Sequence, residues 1–307
     1  MVVDKDVSVA ELLKVAWDSR VENFLLFIFV ISLAVVMSIF KQDRYTAEVL
    51  LMPTEEASGG GLSAISNSLG GLASLAGVDI SSGNGRQVSE AVEVLRSRKF
   101  LISFIEEQNL SADIVAAKYW DSNANKIIYD DSLFDSSENK WIRTEGGRNS
   151  VPPSMLEVYE VFKGDFDVSH DRSEGFVRLK VTHYSPYAAR DWLLNIVRKL
   201  NLTMREDSIR QAETSRLFLE RELERSQVAD MRVVFYEMIE EQVKRKMLAS
   251  VREEYVFKIV DPPLVEEEPS EPNRIVIILS GIFMGIVVMF VKVLVQVSSQ
   301  KARVLED

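Results

Sequence analysis

The sequence predicts an α+β membrane protein: two transmembrane helices, a membrane-proximal α/β base outside the membrane, and a protruding long α-helical hairpin. Three observations predict it. An apolar run lies near each end of the chain, at residues 24–40 and 275–291. Residues 188–260 contain neither Gly nor Pro and are rich in Glu, Arg, Leu, Met, Lys and Ala, which lose little rotamer freedom in a helix. Short segments of β-formers flank that stretch on both sides.

Taken in order, residues 1–23 are short and mixed in charge. Val9, Leu12, Leu13 and Ala16 suit one or two amphipathic turns at a membrane surface. The run at 24–40 is broken only by Ser32 and Ser38, which puts it at the lower length limit for a bilayer core of about 30 Å. Ile39-Phe40-Lys41-Gln42 offers no small-residue cleavage site, so the run reads as a signal anchor. The second run extends to residue 297 if Lys292 snorkels. Lys5, Lys14, Arg20, Lys292, Lys301 and Arg303 lie on the outer flanks, against Lys41, Arg44 and Arg274 on the inner ones. That bias puts both termini in the cytoplasm.

Past the first span, residues 45–52 read as a strand ending at Pro53. Residues 56–85 read as a Gly- and Ser-rich mobile loop with a short apolar helix inside it. Gly83-Asn84-Gly85 lacks the third Gly and the Lys of a phosphate loop. Ser89 is a candidate N-cap for one amphipathic helix to about Gln108. Residues 111–150 are polar, with turns at 136–139 and 146–147. A helix at 155–162 follows Pro152-Pro153. Strands are expected at 166–169 and 176–183, joined by a turn at 171–175, and a last strand at 255–260.

As one rod, residues 188–260 would reach roughly 100 Å. They are read as a hairpin, outward through about Arg225 and back from about Asp230, with Ser226 and Asp230 as candidate caps. Val228, Met231, Phe235 and Met238 keep the 3–4–3 spacing of a helix-pair seam. Between Arg205 and Arg216 only Ile209 and Ala212 are apolar. Arg205, Ile209, Arg210, Glu213 and Arg216 are therefore candidate contacts with another copy or a partner. If the strands before and after the hairpin share one sheet, the hairpin must return to its starting level.

The domain reading is a cytoplasmic N-terminus (1–23), a first span (24–40) and an α/β base (41–187). A helical arm (188–254), a last strand with its connector (255–274), a second span (275–297) and a cytoplasmic tail (298–307) follow. Gly281 and Gly285 form a Gly-x-x-x-Gly face that allows close helix packing. Pro262, Pro263, Pro269 and Pro272 make a stiff connector to the second span.

The formal net charge of −11 argues against a nucleic-acid partner. Cysteine is absent and His170 and His183 are the only histidines, so no metal site is expected. No nucleophile elbow or Walker motif occurs, and the carboxylates sit among Arg and Lys at surface ion-pair spacing. No catalytic residue, cofactor, or cytoplasmic kinase or ATPase domain is expected.

The layout resembles the Wzz family of polysaccharide co-polymerases, the chain-length determinants of bacterial O-antigen and related glycans. The resemblance rests on the terminal spans, on Tyr45-Thr46-Ala47-Glu48 with Pro53, and on Glu93-Val94-Leu95-Arg96-Ser97-Arg98. It rests also on Ser185-Pro186 with Ala188, Ala189 and Trp192, on Glu254 to Lys258 running into Asp261-Pro262-Pro263, and on Gly281 and Gly285. It implies an inner-membrane protein with a periplasmic base and a helical arm. It further implies a ring of identical copies that controls how far a Wzy-type polymerase extends a lipid-linked glycan. An export adaptor is the alternative, and a glycan hydrolase or transferase a third reading.

Overall fold

The computed structural model describes Trp17 and residues 19–54, 86–145, 148–171, 173 and 175–306. The expected amphipathic turns around Val9 to Ala16, the Gly-rich loop at 56–85 and the turn at 146–147 lie outside them. The chain divides into two compact units, residues 1–44 with 269–307, and residues 45–268.

The larger unit is organised on a four-stranded antiparallel sheet. Its strands are β1 (Tyr45–Pro53), β8 (Phe166–His170), β9 (Val177–His183) and β10 (Phe257–Asp261), in the order β10-β1-β9-β8. The strands before and after the arm thus share one sheet, the condition under which the hairpin must return to its starting level. Alternation sets the faces. Ala47, Val49 and Leu51 lie opposite Val181, Leu179 and Val177, and all six are buried. On the other face the Thr46 and Thr182 hydroxyls hydrogen-bond at 2.9 Å, and Glu48 pairs with Lys180. Gly175, at φ 78, closes the turn into β9, where its amide donates to the Asp171 carbonyl at 2.7 Å.

Four helices line the buried face: α2 (Arg86–Arg96), α3 (Arg98–Gln108), α5 (Met155–Asp165), and the first turns of α6 (Pro186–Arg225). Leu95, Phe104, Ile105, Phe162, Leu193, Ile196 and Leu200 are nearly inaccessible. Each such side chain contributes about 1.5–3 kcal/mol. Where the sequence predicted one helix capped by Ser89, there are two, and Ser89 lies inside the first. The break is at Ser97, which takes an extended conformation. Its hydroxyl accepts the Phe100 amide at 3.3 Å and donates to the Val94 carbonyl at 2.7 Å. Asn109, in the left-handed region at φ 53, ends α3.

Residues 111–150 hold more structure than their polarity suggested. A one-turn helix α4 (Ser111–Val115) precedes three small hairpins: β2 (Ala117–Asp121) with β3 (Lys126–Tyr129), β4 (Phe134–Asp135) with β5 (Lys140–Trp141), and β6 (Thr144–Glu145) with β7 (Arg148–Asn149). Asp121, Asp130 and Asp135 accept backbone amides two residues ahead, the Asx geometry that bends a chain without an apolar core. Phe134 packs between Tyr129 and Trp141 at 5.3 and 5.1 Å.

The arm's first helix begins at Pro186, two residues before the expected start at residue 188. Ser185 caps α6 by accepting the Ala188 amide, and Pro186 stands in the first turn. At 40 residues α6 runs about 60 Å. It ends at Arg225, and α7 (Ala229–Val251) returns along it. The reversal occupies residues 226–228. Ser226 closes α6, and Val228 opens α7 with no side-chain cap, so neither Ser226 nor Asp230 serves as the expected N-cap. In the smaller unit, α1 (Arg20–Phe40) and α8 (Arg274–Glu306) are each long and apolar enough to cross a membrane, over 20–40 and 274–297.

Candidate functional site: the paired spans and the helical arm

α1 and α8 pack on each other, and the order of their contacts makes them antiparallel. Glu22 meets Lys292 at 3.0 Å, the Ser19 hydroxyl donates to Gln296 at 3.2 Å, and Asp43 meets Arg274 at 2.8 Å. Lys292, whose snorkelling was the condition for extending the second run, ends on that carboxylate. At the Asp43 end, the Arg44 amide donates to the Glu271 carbonyl at 2.9 Å, and the Ser270 and Glu271 amides both donate to the Arg44 carbonyl. Polar groups therefore tie both ends of the pair, outside its apolar middle.

Between those ends contact is close. A Cβ added to Gly281 would lie 2.6 Å from Ala34 Cβ, and one on Gly285 2.7 Å from the Phe27 ring. The glycine face that the sequence singled out is thus occupied by α1 of the same chain, not left open for a neighbour's helix. Sequence reasoning found the glycines but not their partners, because Ala34 and Phe27 sit inside an evenly apolar run. Pro262 and Pro263 belong to the larger unit, Pro269 and Pro272 to the smaller; the division falls inside the connector.

On the arm, the five predicted contact residues already have surroundings within the chain. Arg205 donates to the Arg252 carbonyl at 3.2 Å. Ile209 packs against the core, and Ala212 beside it is buried. Arg210 is exposed and pairs with Asp207. Glu213 bridges Arg216 at 2.7 Å and Lys246 of α7 at 2.8 Å, and Arg216 also reaches Glu220. Arg216 first, then Lys246, hold the Glu213 carboxyl down to about 2. Within the chain, α7 covers one side of this polar stretch.

The seam of α7 is also rotated from the predicted one. Phe235, Ile239 and Gln242 are half-buried and Ala249 is 1% exposed, whereas Val228, Met231 and Met238 are 58, 46 and 43% exposed. A second stripe, Val233, Tyr236, Val243, Met247 and Val251, also lies open, with Met247 at 64% and Val251 at 84%. Spacing alone fits all three faces, and only docking on α6 selects one.

Asn201 and His183 are buried polar residues whose roles escaped the sequence reading. The Asn201 side chain hydrogen-bonds the start of β10. His183 accepts the Ser185 amide on Nδ1 at 3.1 Å, which leaves Nε2 to donate to the Asp113 carbonyl at 3.0 Å, and its ring lies 4.6 Å from Trp192. It braces the turn from β9 into α6, which engages both ring nitrogens with backbone. The signal for Asn201 was a polar residue inside the apolar stripe of Trp192 to Met204.

Residues 5–108 match the family model described as Wzz, chain length determinant protein. No curated protein matches the chain. Among solved structures, the chain is similar to a full-length bacterial polysaccharide co-polymerase at 10% identity and a TM-score of 0.37, covering 96% of this chain and 99% of that one. It is also similar to a fragment of WzzB, a polysaccharide co-polymerase from Salmonella Typhimurium, at 9% identity and a TM-score of 0.33, covering 75% and 100%. The family match takes in α1, β1, α2 and α3, together with the motifs at Tyr45 to Pro53 and Glu93 to Arg98. The likeness to the Wzz chain length determinant family is thus carried by residues 5–108.

Proposed function

We propose that the chain is a non-catalytic inner-membrane co-polymerase. It regulates the modal length of O-antigen, or a related surface polysaccharide, that a Wzy-type polymerase builds on a lipid-linked glycan. Copies stand side by side as a ring, with the α/β base and arm in the periplasm and both termini in the cytoplasm. The observation that carries this reading is the Wzz match over a segment that folds as a membrane-length helix, a central strand and two core helices.

The arm supports self-association. The open stripe of Val233, Tyr236, Val243, Met247 and Val251 is a row of apolar side chains that a single copy leaves facing solvent. Arg210, the exposed one of the five predicted contact residues, adds a polar rim. Gly281 and Gly285 hold the two spans together, and Pro262, Pro263, Pro269 and Pro272 form the stiff connector. No cofactor enters this reading.

The test is deletion of the gene, followed by separation of the surface glycan by length on a gel. The modal length changes while polymer is still made and displayed. Complementation with Met247→Asp reproduces the deletion although the variant still reaches the membrane. An unchanged length distribution rejects the reading, and loss of export with glycan held inside the cell favours the adaptor instead.

A further inference from the structure

α1 and α8 leave an open groove of about 400 Å3 between them, at the end of the pair that carries the chain termini. Its wall is apolar: Phe24 and Phe27 from α1, Ile286 and Met289 from α8. Trp17, Arg20 and the polar Asn23 complete the lining, and the Arg20 guanidinium lies 5.2 Å from the centre of the Trp17 ring. Trp17, Arg20, Phe24 and Phe27 recur at 3–4–3 spacing, so the groove follows one face of α1.

Two arguments name the occupant. An apolar groove between membrane spans is not filled by water, and a void of this size forfeits dispersion contacts along its whole lining. At that depth the available apolar matter is acyl chain. Arg20 stands where the apolar run begins, at the boundary where Trp and Arg meet headgroups. The carboxylate next to it in sequence, Glu22, is engaged by Lys292. Arg20 therefore places a guanidinium at the mouth of an apolar trough.

We propose that this groove binds one anionic phospholipid, with an acyl chain against Phe24, Phe27, Ile286 and Met289 and the phosphate on Arg20 beside Trp17. The inference rests on the two helices being membrane spans. It is independent of the chain-length reading.

The experiment is native mass spectrometry of the full-length protein in detergent, titrated with phosphatidylglycerol or phosphatidylcholine of matched acyl chains. Wild type retains phosphatidylglycerol by about five-fold over phosphatidylcholine, the ratio that one arginine at an anionic headgroup gives. Arg20→Gln removes the preference and Arg20→Lys keeps it. Ile286→Trp fills the trough and lowers retention of both lipids. Circular dichroism first establishes wild-type helix content in each variant. Equal retention of the two lipids by wild type, an unchanged preference in Arg20→Gln, or undiminished binding in Ile286→Trp overturns the proposal.

Discussion

Asn201 on α6 and Phe257 on β10 are joined by two hydrogen bonds. The Asn201 amide group donates to the Phe257 carbonyl at 2.8 Å, and its oxygen accepts the Phe257 amide at 3.1 Å. That oxygen also accepts the Val256 amide at 2.9 Å. One side chain from a helix thus does for the start of an edge strand what a neighbouring strand would otherwise do. All of these groups are buried.

Asn201→Leu leaves three backbone groups without partners in an apolar setting. At about 1–3 kcal/mol for each orphaned group, a loss of about 3 kcal/mol or more is expected. It is read as a lowered midpoint in thermal unfolding of the full-length protein in detergent. A midpoint within the error of wild type would show that water or a shifted strand replaces the carboxamide.

Glu213 gives the arm a dependence on pH. Its ordinary value is 4.5, and Arg216 and Lys246 hold it at about 2 in the folded chain. The folded value is the lower one, so the unfolded chain takes up the proton first. The contribution is complete above about 4.5 and is lost as pH falls toward 2. Helix content followed by circular dichroism therefore melts earlier at about pH 3 than at about pH 5. Glu213→Gln narrows that gap, and about 0.5 M salt does the same because the cluster is open to solvent. A gap of equal size in Glu213→Gln would assign the acid sensitivity elsewhere.

Gly281 and Gly285 differ in what faces them. Ala34 Cβ moves only with its backbone, whereas the Phe27 ring can turn aside. Gly281→Ala is expected to destabilise the helix pair by about 1–3 kcal/mol, and Gly285→Ala by less. Ala34→Gly, placed in the Gly281→Ala background, restores the midpoint. The reverse order of the two single substitutions, or no rescue, would refute this account of the contact.

The parts of this architecture that were legible in the sequence are those set by local chemistry. Charge-poor runs marked both spans, the stretch from Ala188 free of Gly and Pro marked α6, and short segments of β-formers marked β1 and β9. What stayed hidden depends on choices between equivalent local solutions. Ser89 and Ser97 are both acceptable caps, and only packing of α2 and α3 on the sheet selects the second. Val228, Met231 and Met238 fit a seam as well as Phe235, Ile239 and Ala249 do, and the winner is set by how α7 meets α6. The turns of the first two hairpins after Ala117 are held by Asp121 and Asp135 reaching two residues ahead, a signal shorter than any hydrophobic period. At the candidate site, Gly281 and Gly285 were visible as a motif, while Ala34 and Phe27 carry no mark of their own.

The first and last strands of the larger unit, β1 and β10, are next to each other in the sheet, and the whole arm is an excursion between β9 and β10. The ends of that excursion are fixed by Ser185 on one side and by Asn201 with Phe257 on the other. Matched turns added beyond Asn201 to the outgoing helix and to the returning one would leave every ladder bond where it is. The reach of such a protein can therefore drift during evolution without renegotiating its foundation, as a mast can be lengthened on an unchanged deck.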